Sequence, residues 1–228
     1  MLKNYRYRWF IVPVTMLLCS TFLSAFHLWR SQFDLTGKEL ANDNIVVRFD
    51  ERNLRIITGG KTHEYNLRDE TFLTSLNFGN IGLAATDKRL IAMSTYSSGP
   101  RRIDLRETLS FAQFRVHDHF VSLGSDIVLV TGPRHIYIYD GQNSKWFILP
   151  IEAETTNAAR AFQNTIVYLS TRRIVAYTNG LDEPKSYALE NFNPISFKIA
   201  RSQVTISAFV NDMVVFNGTN GTFQRFRD

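Results

Sequence analysis

Five stretches of the chain repeat one pattern, in which an apolar strand opens, turns and closes again at nearly constant spacing. Successive openings are 36, 46, 38 and 39 residues apart, and each closing residue follows its opening by 23 or 25 residues. A repeat of about 40 residues that holds four short strands is typical of a propeller blade, which buries its faces only between neighbours. The openings are Asn44, Asn80, Asp126, Asn164 and Gln203, and the closings are Leu67, Leu105, Leu149, Leu189 and Phe226.

The third repeat shows the strands most clearly. Residues 127–131 are apolar on both faces, as expected of a strand covered on both sides, and Gly132-Pro133 then turns the chain. Residues 136–139 form the next predicted strand, and Asp140-Gly141 is a strong hairpin signal. Residues 145–149 complete the blade as its outer strand.

Glycine turns recur at equivalent places in three other repeats, at residues 59–60, 179–180 and 217–218. The second repeat differs, because residues 97–100 replace that turn and extra length falls between Arg106 and Asp126. We interpret the excess as a longer loop on one rim. The alternative is chance periodicity in a strand-rich chain.

We therefore predict an all-β fold, a five-bladed β-propeller of four-stranded repeats preceded by one N-terminal transmembrane helix. The predicted innermost strands cover residues 72–77, 119–123, 159–163 and 197–201. Since the last repeat ends on an outer strand, residues 33–41 are expected to supply the innermost strand of the first blade.

The segment from Trp9 to Trp29 has 21 residues and no formal charge apart from protonation of His27. As a helix it would be roughly 31 Å long, enough to cross a hydrocarbon core. Lys3, Arg6 and Arg8 precede it, which places the amino terminus in the cytoplasm and the repeats outside it.

Two alternatives to this anchor remain open. A cleaved secretory signal would end best after Ala25, but Leu23 is bulky where such signals need a small residue. A lipid-modified Cys19 is disfavoured by Leu18 before it. We predict a cytoplasmic tail and anchor, or signal, over residues 1–30 and an exported domain over residues 31–228. The location is an inner or plasma membrane, with the domain periplasmic or extracellular.

Charge argues against a nucleic-acid partner. The chain has 26 basic and 21 acidic residues, and Lys3, Arg6, Arg8 and Arg30 precede the exported part, which leaves a net charge of +1 there. Cys19 is the single cysteine, so the exported part contains no disulfide. This composition is compatible with a bacterial periplasm.

Catalytic patterns are missing from the sequence. It contains no phosphate-cradling glycine loop, dinucleotide fingerprint, nucleophile-elbow serine or paired-histidine zinc helix. Some five-bladed propellers are glycosidases, which need two carboxylates, and the four predicted innermost strands quoted above hold none. We expect no enzymatic activity and no cofactor, and a glycan-acting hydrolase is the third-ranked function.

Two groups of residues are candidate sites. The first is the extra loop, where His117 and His119 have metal-like spacing but no obvious third ligand, so that we expect no metal and instead a partner-binding loop. The second is the predicted channel, whose basic side chains could hold a small anion or simply pair with carboxylates. The loop candidates are Arg115, His117, Asp118 and His119, and the channel candidates are Arg160, Lys198 and Arg201.

The third repeat resembles a known type. Residues 126–130, the Ile136-Tyr137-Ile138-Tyr139-Asp140-Gly141 run and Trp146 are similar to the quinoprotein-like and WD40-like propeller repeats. Other blades lack the tryptophan, and no blade has a complete WD dipeptide or the cofactor-contacting residues of quinoproteins. The resemblance implies a propeller fold and, because many exported propellers are docking platforms, a partner that is another protein. The expected function is a scaffold or accessory subunit of an envelope complex, and the alternative is an immunity protein that binds a toxin.

Overall fold

The computed structural model describes residues 40–41, 44–50, 52–109, 121–151, 154–190, 194, 196–200, 202–209 and 212–227. The chain divides into two compact units, Met1–Lys38 and Glu39–Asp228, and all strands described below belong to the second. These strands form five four-stranded antiparallel sheets. The prediction of an all-β fold built from five four-stranded repeats is confirmed.

Each sheet takes four consecutive strands, from the innermost strand to the outermost. The first contains β1 (Leu40–Ala41), β2 (Ile45–Asp50), β3 (Asn53–Thr58) and β4 (Lys61–Asn66). The second contains β5 (Phe72–Phe78), β6 (Ile81–Thr86), β7 (Arg89–Ser94) and β8 (Arg101–Asp104). The third contains β9 (Val121–Leu123), β10 (Ile127–Thr131), β11 (His135–Asp140) and β12 (Lys145–Pro150). The fourth contains β13 (Thr156–Phe162), β14 (Thr165–Ser170), β15 (Arg173–Thr178) and β16 (Lys185–Ala188). The fifth contains β17 (Ser196–Ala200), β18 (Gln203–Phe209), β19 (Asp212–Asn217) and β20 (Thr222–Arg227).

The innermost strands agree with the prediction to within a few residues. In the first sheet, Leu40 pairs with Val47 and Ala41 with Val46, so this part of residues 33–41 does supply the missing strand. Residues 33–39 lie outside the described part of the chain. The fifth opening is one residue earlier than predicted. Gly218 donates its N–H to the carbonyl of Ser202, as Gly141 does to Asp126, which makes Ser202 the equivalent of the other openings.

The core lies between successive sheets. Strands β6, β10, β11 and β14 are buried along their whole length, because they are covered on both faces. Four buried clusters span the four junctions between consecutive sheets, and within the described residues no buried cluster joins the fifth sheet to the first. Accordingly β2 and β19 alternate between buried and partly exposed residues, since each end sheet is covered on one side.

The third repeat matches its prediction, with one difference in the hairpin. Strand β10 covers residues 127–131 as expected, but the turn after Asp140 extends over Gly141–Ser144. The buried carboxylate of Asp140 accepts hydrogen bonds from the backbone N–H groups of Gln142 and Asn143 at 2.8 and 3.0 Å. Asp140 therefore shapes a four-residue turn and does not form a two-residue hairpin.

The predicted membrane span, from Trp9 to Trp29, lies outside the described residues. Within the described ranges, no helix has the length and apolar character needed to cross a bilayer.

Candidate functional site

The unit Glu39–Asp228, which we call the sheet unit, has two distinct edges because its strands alternate in direction. We call the edge that carries the links between first and second strands, and between third and fourth strands, the opening rim. The opposite edge, which we call the connector rim, carries the remaining turns and the connections from one sheet to the next. Because β1 runs toward the opening rim, the chain enters the first sheet at the connector rim.

A row of hydrogen bonds crosses the opening rim and is built from three opening residues and Asn179, a turn residue of the fourth sheet. The side-chain amide of Asn44 donates to Asn80 Oδ1 at 3.1 Å, and the amide of Asn80 donates to Asp126 Oδ1 at 2.7 Å. The amide of Asn179 donates to the carbonyl of Asp126 at 2.9 Å. These contacts link the first four sheets, so the repeated polar residue holds neighbouring sheets in register.

Three large apolar side chains are exposed on this same rim. Phe78 is 55% exposed, Tyr96 57% and Phe162 47%. Phe78 and Phe162 occupy the same position, the last residue of the innermost strand in the second and fourth sheets. The third sheet has Gly124 there, and an added Cβ on Gly124 would lie only 2.3 Å from the carbonyl oxygen of Gln163. The two phenylalanines thus flank a glycine that must remain small.

A polar cleft of 420 Å³ lies on the opening rim and is lined by the links of the third, fourth and fifth sheets. Gln163 in its wall has φ of 51°, a left-handed conformation that non-glycine residues rarely adopt. In the second sheet the equivalent residue is Gly79, whose φ is 60°. The cleft is lined by Ser125, Asp126, Gln163, Asn164 and Ser202.

The connector rim is fastened by a repeated carboxylate contact, which we call the clasp. In the second sheet Glu70 pairs with Arg89 at 2.6 Å, and in the fourth Glu154 pairs with Arg173 at 3.0 Å. Each acidic residue lies in the connection that precedes its sheet, and each basic residue begins the third strand. The clasp therefore closes the second and fourth sheets, and the charges of these residues stabilise the fold.

The third sheet has a variant of the clasp. The buried carboxylate of Glu107 accepts hydrogen bonds from the backbone N–H groups of Arg134 at 2.6 Å and His135 at 3.1 Å. The hydroxyl of Tyr137 donates to the same carboxylate at 3.4 Å. Burial, the main cause, raises the pKa of Tyr137, and the nearby charge of Glu107 adds to the rise.

The predicted loop site lies outside the described residues. Arg115, His117, Asp118 and His119 fall within residues 110–120, and their role stays a prediction. The described residues on either side of this segment are Leu109, in the connection that follows the second sheet, and Val121, the first residue of β9.

The predicted channel residues lie on different sheets. Arg160 pairs across β13 with Val167, on the side of the fourth sheet that packs against the fifth, and its Nη1 donates to the carbonyl of Ala159 at 3.2 Å. Lys198 is exposed and pairs with Thr205, on the far side of the fifth sheet. Arg201 lies outside the described residues. An anion site formed by these three residues stays a prediction.

The opening-rim residues were not identified from the sequence. Phe78 and Phe162 each precede a two-residue link, and an aromatic residue next to a turn is the signal that could have found them. Among the described residues, no group of three or more His, Cys, Asp or Glu side chains is placed to hold a metal ion.

Comparison with known proteins gives a likeness in fold. No protein-family profile and no curated protein sequence matches the chain. Among solved structures, the N-terminal domain of Nup159 has 12% identity and a TM-score of 0.36 over 83% of this chain and 60% of its own. BamB from Moraxella catarrhalis has 13% identity and a TM-score of 0.38 over 83% and 62%. Prp20p from Saccharomyces cerevisiae has 10% identity and a TM-score of 0.36 over 79% and 56%.

The chain spans about 60% of the length of the solved chains that it matches. The generic resemblance to propeller repeats is confirmed by the arrangement of the strands. The description of the fold itself rests on the five four-stranded sheets.

Proposed function

We propose that the chain is a membrane-anchored, exported propeller that acts as a scaffold or accessory subunit of an envelope complex, and that it binds its protein partner through the opening rim. The observation that carries this proposal is the exposure of Phe78, Tyr96 and Phe162 on one edge. Exposed large apolar side chains that are grouped and surrounded by polar groups are a mark of protein-binding surfaces.

The chemistry of the rim fits a polypeptide partner. Aromatic side chains supply most of the energy at protein interfaces, and polar groups around them provide hydrogen bonds and exclude competing partners. Here the amide row and the cleft formed around Asp126 and Gln163 lie on the same rim as the phenylalanines. A segment with apolar side chains could cover Phe78 and Phe162 while its backbone reaches the cleft.

The connector rim fits a structural role better. Two of its charged pairs, Glu70–Arg89 and Glu154–Arg173, lie within single sheets. A separate cleft of 660 Å³ between the first and second sheets is lined by both acidic and basic residues, among them Asp69 and Lys88. We therefore assign partner binding to the opening rim.

Capture of the native partner tests the proposal. The variant with Phe78→Ser and Phe162→Ser should retain its thermal unfolding temperature and lose most of the partner that co-purifies with the full chain from membranes. Arg172→Ser, an exposed change on the connector rim, is the matched control and should capture the partner as the unchanged chain does. Equal capture by a folded double variant would overturn the assignment. A captured toxin would favour the immunity function over a scaffold.

The anchor and the export rest on the uncharged segment from Trp9 to Trp29 and on the basic residues before it. A reporter fused after Asp228 should be active only if it is a type that folds outside the cytoplasm. Activity of a cytoplasmic reporter would contradict the topology, and a mature protein that begins near Phe26 would contradict the anchor.

A further inference from the structure

Among the described residues, those that line the cleft on the opening rim carry a single charge. Four of them, Ser125, Gln163, Asn164 and Ser202, are polar and neutral, and the fifth, Asp126, is acidic. The cleft between the first and second sheets differs, because its lining contains both acidic and basic residues. The cleft on the opening rim therefore favours a cation over an anion.

The half-buried carboxylate of Asp126 is held in place, but only one of its oxygens is used. Its Oδ1 accepts from the amide of Asn80 at 2.7 Å, and the backbone N–H of Asp126 donates to the carbonyl of Gln163 at 3.1 Å. The carbonyl of Asp126 accepts from the N–H of Gly141 and the amide of Asn179, both at 2.9 Å. In the described part of the chain, no group donates to Oδ2 and no basic side chain pairs with Asp126. This oxygen can therefore accept hydrogen bonds from a ligand.

Three neutral residues of the cleft also have unused polar groups. Within the described residues, the side chains of Ser125, Gln163 and Ser202 make no hydrogen bond. A polar cluster that only supported the fold would use such groups internally. Their oxygen atoms can accept hydrogen bonds, so the cleft offers several acceptors in addition to the carboxylate.

Gln163 retains a side chain at a position that favours glycine. Its φ is 51°, whereas the equivalent residue of the second sheet is Gly79, with φ of 60°. Glycine adopts this conformation without strain, and strained residues are concentrated at functional sites. The strain therefore supports a binding role for the Gln163 side chain in the wall of the cleft.

Three other carboxylates of the opening rim have different surroundings. Both oxygens of the buried Asp140 accept hydrogen bonds. Glu183 pairs with Lys185 at 2.9 Å. Asp182 is exposed to solvent and does not line the cleft. Asp126 thus combines a position in a cleft with an unused oxygen, which makes it the carboxylate to which a ligand on this rim would bind.

We propose that this cleft receives a lysine or arginine side chain of the protein partner, whose cationic group pairs with Asp126. The inference rests on the proposed function, because it names a residue that the partner presents to the opening rim. The cation donates to Asp126 Oδ2, and its remaining N–H groups donate to oxygens of Ser125, Gln163 or Ser202. Since Phe162 directly precedes Gln163 in the chain, we expect the basic residue within a few positions of an apolar one in the partner.

Capture of the partner separates this inference from the function on which it rests. Asp126→Asn removes the charge but keeps an oxygen that can accept from Asn80, so the variant should fold normally and capture about tenfold less partner from membranes. Glu183→Gln removes the same charge from an exposed residue of the same rim and should capture the partner as the unchanged chain does.

The outcomes of this experiment differ for the two claims. Normal capture by Asp126→Asn, together with loss of capture in the Phe78→Ser and Phe162→Ser double variant, would overturn the inference and leave the proposed function intact. Loss of capture in Asp126→Asn but not in the double variant would support the cleft and overturn the role of the phenylalanines.

Defined probes test the chemistry without the partner. The full chain in detergent is titrated with N-acetyl-lysine amide, N-acetyl-arginine amide or the uncharged N-acetyl-norleucine amide, and the backbone signals of Ser125 and Asn164 are followed by NMR. The basic probes should shift these signals with a dissociation constant on the order of 1–10 mM, because one side chain makes few contacts. The shifts should be absent with norleucine amide and in Asp126→Asn. Equal shifts with all three probes, shifts with none, or shifts with calcium chloride alone would overturn the proposal.

A second variant tests the cleft while Asp126 stays unchanged. Ser202→Lys places an ammonium group of this chain in the cleft, and it keeps the carbonyl that accepts from the N–H of Gly218. It should prevent the basic probes from binding. Thr219→Lys adds the same charge in an exposed turn of the same sheet and should leave their binding unchanged. Equal binding by the two folded lysine variants would contradict the placement of the cation beside Asp126.

Discussion

At the scale of single residues, the fold depends on how closely the links of neighbouring sheets approach each other. Gly79 illustrates this, since an added Cβ would lie 2.6 Å from the Cα atom of Ser125 in the next sheet. The sequence predicted turns at glycines, but it could not predict this approach, because residues 46 positions apart in the chain form it. The amide row from Asn44 to Asp126 escaped prediction for the same reason, although its members were identified as strand openings.

A pair of glycine variants separates backbone strain from this close approach. Gly59 and Gly79 have similar φ values of 53° and 60°, but no atom lies within 4 Å of a Cβ added to Gly59. Gly59→Ala should lower the free energy of unfolding by about 1 kcal/mol through backbone strain alone. Gly79→Ala should lower it by about 2 kcal/mol or more, because the links must also move apart. If urea unfolding gave the same loss of free energy for both variants, the links of the second and third sheets would be less closely packed than described.

The buried hydroxyl of Tyr177 predicts a loss of stability at alkaline pH. It donates to Asp140 Oδ2 at 2.5 Å and to the carbonyl of Leu181 at 3.1 Å. Burial, followed by the hydrogen bond to Asp140 and its charge, raises the pKa of Tyr177 far above its usual value of 10.0. A raised pKa in the folded state means that the stabilisation is present below pH 10 and is lost as the pH rises above it. Unfolding measured between pH 8 and about 11 should show this decline.

Removal of the Tyr177 hydroxyl tests whether this group causes the loss of stability at alkaline pH. Tyr177→Phe should lower the free energy of unfolding at neutral pH by about 1.5–3 kcal/mol, because a buried carboxylate loses a donor. It should also make the decline above pH 10 shallower. The control Tyr168→Phe removes a hydroxyl that contacts Thr156 at 3.2 Å and should cost about 0.5–1.5 kcal/mol. An unchanged alkaline decline in Tyr177→Phe would assign that decline to other tyrosines.

At the scale of the elements, the clasp and its third-sheet variant join the connections before the second, third and fourth sheets to those sheets. The sequence predicted the strands well because alternation and buried apolar runs, such as residues 127–131, reflect local geometry. It did not predict that Glu70, Glu107 and Glu154 play one role, since their partners lie 19 to 28 residues further along the chain. The third sheet differs from the other two, because the carboxylate of Glu107 accepts its hydrogen bonds mainly from backbone N–H groups.

Removal of the third-sheet clasp tests its contribution. Glu107→Ala leaves the N–H groups of Arg134 and His135 without their acceptor and should lower the free energy of unfolding by about 2–3 kcal/mol. The control Glu183→Ala removes an exposed carboxylate that contacts Lys185 and should leave stability almost unchanged. Similar small losses in both variants would show that the connector rim does not depend on the clasp.

At the scale of the whole sheet unit, periodicity predicted the number of sheets and of strands within each sheet, because one repeat length corresponds to one sheet. The candidate site was harder to predict than the fold. The equivalence of Phe78 and Phe162 becomes visible only when two strands 84 residues apart in the chain are placed at the same position of the second and fourth sheets.

The central claim, that a partner protein binds the opening rim, is tested most directly by site-specific photo-crosslinking. A photoreactive phenylalanine analogue replaces Phe78 or Phe162 in the full chain within its native membrane, and Arg172 on the connector rim serves as the control position. These replacements keep an aromatic ring in place at the two phenylalanines, so they should disturb neither folding nor binding. The account predicts adducts with one and the same second protein from Phe78 and Phe162, and none from Arg172. Adducts from Arg172 alone, or none from either phenylalanine, would contradict it.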